Sequence, residues 1–110
     1  MIQYTTGQRR EIIAVQTLIE NTPLRDLFDH RPGFHREQLG GVLTIRIEDA
    51  ARLTVSTGEN VLLDVLGSLV GRRRIYLSDV IAHVDATCSA AVVYAIAVLA
   101  GATAAPEVLA

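Results

Sequence analysis

The feature that most constrains this chain is the uncharged stretch from Ala90 to Ala100, AAVVYAIAVLA. It is too short to cross a bilayer, which takes about 20 apolar residues. A buried helix explains it better. A helix apolar nearly all round belongs against a core, so the reading here is a buried helix over Ser89–Ala100 with Gly101 as its stop. A fold with room for such a helix needs several elements packed on it, and 110 residues suffice for one domain of that kind.

Half of the residues are hydrophobic and 20% are charged, a balance that favours a packed core over disorder. The formal net charge of -2 gives no electrostatic footprint for nucleic acid. Arg72-Arg73-Arg74 is the one basic cluster, and it reads as a solvated loop. A histone-like DNA binder, with these arginines on the phosphates, is disfavoured by the acidic balance and by the strand-like segment near residue 45. Cys88 is the single cysteine, so no internal disulfide can form, and a lone thiol fits the reducing cytoplasm. The amino-terminal residues lack the apolar core of a secretory signal.

Upstream of the apolar stretch, Ile12, Val15 and Ile19 recur at helical spacing within Gln8–Glu20. Thr22-Pro23 suits a second helix start, with Thr22 as cap and Pro23 in the first turn. Leu24, Leu27 and Phe28 would share its face, and Arg31-Pro32-Gly33 would end it. Residues 34–41 read as loop. Val42–Ile47 is a strand by its alternation and β-branched content, and Leu53-Thr54-Val55 is a short second strand. Ser56 and Glu59 match a capping box, followed by a helix with an i, i+4 apolar face and Gly71 as its stop. Ile75–Leu77 and Val80–Val84 read as extended. Asp85-Ala86-Thr87 is a turn that caps the apolar helix, and Pro106–Ala110 starts a last short one.

No catalytic constellation stands out. There is no phosphate-binding glycine loop with lysine, no dinucleotide fingerprint and no serine elbow. His30, His35 and His83 lack the spacing of a metal site, so neither metal nor cofactor is expected. His83 beside Cys88 in sequence does not make a thiol–imidazole pair. Tyr4, Tyr76 and Tyr94 read as packing residues.

Three segments, in order, resemble the STAS family, the fold of anti-sigma-factor antagonists and of the cytoplasmic tails of sulfate-type anion transporters. They are Gly41–Glu48, Arg52–Ser56 leading into the capped helix, and Arg74–Thr87 ending in Ala-His-Val-Asp-Ala-Thr. The resemblance implies an α/β fold, a small sheet flanked by helices, with a helical extension over residues 1–38 and a STAS-like domain over 39–110 that is shortened at its carboxyl end. It implies a non-enzymatic, cytoplasmic protein-interaction domain. Thr87 occupies the position of the family's phosphoacceptor, and Asp85, Ala86, Thr87, Cys88 and Ser89 would form the partner-binding surface. Where the family has glycine after the hydroxyl residue, this chain has Cys88. The partner would be an anti-sigma factor or kinase-like protein. The alternative partner is a membrane transporter subunit, because Thr22–Phe28 with His30-Arg31-Pro32 is similar to the linker before the domain in the transporter branch. No membrane insertion is expected, and edge-to-edge sheet pairing would allow a homodimer.

Overall fold

The computed structural model describes residues 1–102. The element order is β1 (Ile2–Thr6), α1 (Arg9–Glu20), α2 (Leu24–His30), β2 (Phe34–Leu39), β3 (Val42–Ile47), α3 (Asp49–Arg52), α4 (Thr57–Leu69), α5 (Leu77–His83) and α6 (Ala86–Leu99). The three strands form one antiparallel sheet in the order β1-β3-β2. The fold is therefore a mixed α/β arrangement in which helices cover one face of a small sheet.

The sheet register explains its two faces. Ile2, Ile47 and Phe34 lie side by side, as do Thr6 and Leu43. Tyr4, Thr6, Phe34, Leu43, Ile45 and Ile47 are all buried. Gln3, Arg46 and His35 form a row on the opposite, exposed face. This is the in/out alternation of a sheet wetted on one side. A Gly40-Gly41 turn joins β2 to β3, with φ of 58° and 78°. Both central residues of a type I′ hairpin turn need positive φ, which glycine alone adopts without strain.

Buried side chains from β1, α1, α2, β2, β3, α4, α5 and α6 belong to one core cluster. Val15, Leu18, Ile19, Leu24, Leu63 and Leu66 are completely enclosed. α1 packs against both α4 and α6, and α2 against β2. α2 starts one residue later than expected, with Pro23 rather than Thr22 as its cap; the Thr22 hydroxyl accepts from the Leu24 N–H at 3.3 Å and donates to the Leu18 carbonyl at 2.8 Å. Leu24, Leu27 and Phe28 are core residues, so the segment similar to a linker is a packed helix. Gly67 lets α4 approach the sheet, since a Cβ there would lie 2.6 Å from the Tyr4 hydroxyl oxygen.

Several expectations are corrected. Residues 34–39 are a strand, because the glycine turn brings them onto β3. Ile2–Thr6 is a strand paired with β3. The division at residues 38/39 thus falls inside β2, and the first 38 residues supply β1 and all but the last residue of β2. Leu53–Val55 forms no strand; it follows the single turn of α3, and Leu53 is 87% exposed. Ile75–Leu77 and Val80–Val84 are not extended together: α5 occupies Leu77–His83, and Val80 is its one buried residue. The helix at 86–99 is buried on one side only, through Cys88, Ala91, Val92, Ala95 and Val98. The expectation at Pro106–Ala110 and the shortened carboxyl end lie outside the described residues.

Candidate functional site

The residues singled out from the sequence form the turn between α5 and α6 and the first turn of α6. Asp85 is the cap. Its backbone is extended, and its Oδ1 accepts the Cys88 N–H at 2.8 Å. That bond, and then the Cys88 thiol, hold the Asp85 carboxyl below its ordinary value against an opposing effect of burial, with the Thr87 N–H making the smallest contribution. Hydrogen bonds to the ionised form are what lower a carboxyl pKa.

With Asp85 in the capping role, Thr87 is free of it. Thr87 sits in the second helical position, exposed, and its hydroxyl makes no hydrogen bond with any described residue. Ala86 is exposed beside it, and Ser89 is half-buried with its hydroxyl directed at the Val84 carbonyl, 3.4 Å away. Cys88 departs from the expected surface. Its side chain is turned inward and belongs to the core cluster. Burial raises the thiol pKa, and the hydrogen bond and charge of Asp85 raise it further. A thiol so placed stays protonated at neutral pH, which is the opposite of what a nucleophilic cysteine requires. It also leaves the solvent side of Thr87 unobstructed.

The α5–α6 turn is seated on the start of α4. Ser56 and Glu59 form the capping box in both directions, at 3.1 Å and 2.8 Å. A Cβ on Gly58 would lie 2.9 Å from the His83 carbonyl oxygen, so glycine there permits the contact of the two segments. Between them lies a pocket of about 170 Å³, lined by Pro23, Glu59, Leu62, His83, Val84 and Asp85 among others. Its buried lining residues are Leu62 and Cys88, and its lining also includes the two capping carboxylates. The sequence held a signal for this neighbourhood, the paired serine and aspartate caps, but not for their proximity, which arises from α5 folding back along α4.

Elsewhere, Arg73 is tied to Asp64 at 2.6 Å, and Arg52 reaches the same carboxylate. All three arginines of the basic cluster are exposed, and the middle one is ion-paired. Among the described residues, no three His, Cys, Asp or Glu side chains lie close enough to hold a metal ion. No helix among them is long and apolar enough to cross a membrane. Comparison with known protein families, with characterised proteins and with solved structures gave no match in any of the three.

Proposed function

We propose that this chain is a non-enzymatic regulatory protein-interaction domain that docks its partner through the first turn of α6 and is switched by phosphate on Thr87. One observation carries the reading: an exposed threonine hydroxyl, unengaged within the described residues, in the first turn of a 14-residue helix already capped by another residue. A phosphate there would meet the positive end of the helix dipole and would compete with the Asp85 carboxylate for the Cys88 and Thr87 N–H groups. It would also add roughly -1.5 to -2 charges next to the carboxylate of Asp85, changing what the surface can bind. The adjoining pocket, lined by Leu62 and Val84 as well as by Glu59, His83 and Asp85, offers a seat for a partner side chain.

The narrower reading, an anti-sigma-factor-antagonist-like protein working in the cytoplasm against an anti-sigma factor or kinase-like partner, is supported by the sequence resemblance over Val42–Ile47, the capped α4 and the Asp-Ala-Thr turn. The helical α5 does not add to that support. The test is an affinity capture of the tagged chain from its own cells, with mass spectrometry of Thr87, followed by affinity measurements on the partner found. Phosphate on Thr87 and at least tenfold weaker binding by Thr87→Glu, with Thr87→Val binding normally, is the expected result. Equal affinity of all three forms for that partner would remove the switch.

A further inference from the structure

The outward side of α6 carries a second surface, which shares Asp85 and Ala86 with the Thr87 turn and runs from there along the whole helix. Ala86, Ala90, Val93, Ala97 and Ala100 fall on one stripe of the helix at coiled-coil spacing. All but the half-buried Ala97 are exposed, and flanking Ile96 is exposed too. Val93 is 67% exposed. No Asp, Glu, Lys or Arg occurs between Ala86 and Ala102, so this is an apolar face about 21 Å long with nothing ionic on it.

We propose that this face pairs with the same face of a second copy of the chain, the two α6 helices antiparallel about a two-fold axis at Val93. The stripe is palindromic about that residue: Ala86 meets Ala100 of the second copy, Ala90 meets the Ile96–Ala97 step, and Val93 meets Val93. Small side chains let helices approach to about 8 Å. Charge chooses the direction and favours a second copy. Asp85 stands at one end of α6. At the other end the Arg10 guanidinium lies against Gly101, within 2.8 Å of where a Cβ would be. Neither Asp85 nor Arg10 has an ion-pair partner among the described residues. A parallel pair would set acid beside acid and base beside base. The antiparallel pair places one acid and one base at each end, twice over, which is the self-complementarity of an isologous interface. Helix dipoles are also opposed in that arrangement.

The experiment is light scattering or sedimentation of the full chain over a broad concentration range. The wild type is expected to move from the 11.9 kDa monomer to twice that mass. Val93→Glu brings two like charges together on the axis, and Val93→Lys does the same. Each is expected to be monomeric, with its dissociation constant raised at least tenfold, and with an unchanged circular dichroism spectrum because the site is exposed. An equimolar mixture of the two should restore the dimer. A wild type that is monomeric throughout, a dimer that survives Val93→Glu, or a mixture that stays monomeric would each overturn the proposal.

Discussion

Asp85 and Cys88 are linked by one short turn, and their titrations have opposite consequences. The Asp85 carboxyl is depressed in the folded chain. A depressed acid stabilises the fold fully above its unfolded value, about 3.9, and that stability is lost as pH falls through the lower folded value. Asp85→Asn keeps a capping oxygen but removes the charge. Its melting temperature is expected to lie below that of the wild type at neutral pH and to converge with it under acid, as thermal unfolding from pH 7 downward would register. A constant gap down to the lowest pH would mean that the charge is not what the cap contributes. Cys88 behaves in the other sense, with its thiol kept protonated by burial and by Asp85. Alkylation by iodoacetamide at mildly alkaline pH is expected to be at least about tenfold slower in the native chain than in urea, since the thiolate is the reacting species. Equal rates would show the first turn of α6 opening freely. The Asp85 turn was legible from sequence because a capping residue announces itself locally. The inward direction of Cys88 was not, because it depends on which side of α6 meets the core.

Helices α1 and α2 are fastened to the sheet by Arg36, whose guanidinium meets Glu20 at 2.7 Å, Asp29 at 2.8 Å and Gln16 at 3.0 Å. Arg36 is largely covered, but its acidic partners are a third or more exposed, so screening limits the value of the network. Arg36→Met is expected to cost about 1 kcal/mol, read as a lower urea midpoint at constant slope. No shift would make these contacts incidental. Gly67→Ala tests the packing of α4 on β1. Alanine should gain about 1 kcal/mol of helix propensity, but its methyl would collide with the Tyr4 ring. Overpacking costs about 1–3 kcal/mol, so the net effect is expected to be destabilising, and a rise in the urea midpoint would disprove the contact. Long periodic elements such as α1 and α4 were readable from sequence. β2 was not, because only Phe34 of its six residues is buried and its alternation is faint; the Gly40-Gly41 pair was the signal available. The sequence of α5 points to extended backbone because Ile75, Val80, Ile81 and Val84 are β-branched, but that preference is weak enough for packing to override. Here Val80, set into the core from a turn of helix, decided the outcome.

The Cα radius of gyration is 13.0 Å, the value of about 13 Å expected for one compact domain of about 100 residues. That compactness follows from a core drawn from both halves of the sequence. Residues 1–38 contribute Val15, Leu18, Ile19, Leu24, Leu27 and Phe34, all 3% exposed or less. Each such side chain is worth about 1.5–3 kcal/mol on burial. Their sum reaches or exceeds the total stability of about 5–15 kcal/mol typical of a domain, before the loss of β1 pairing is considered. A chain limited to residues 39–110 would also leave both edges of β3 without partners, exposing Leu43, Ile45 and Ile47 from which α1, α2 and the neighbouring strands now exclude water. Such a fragment is therefore expected to lack a cooperative unfolding transition and to aggregate, while the full chain unfolds in one step by both circular dichroism and Tyr fluorescence. A folded, cooperatively melting 39–110 fragment would instead mean that α3 to α6 form a core of their own, and that the sheet is an accessory to it.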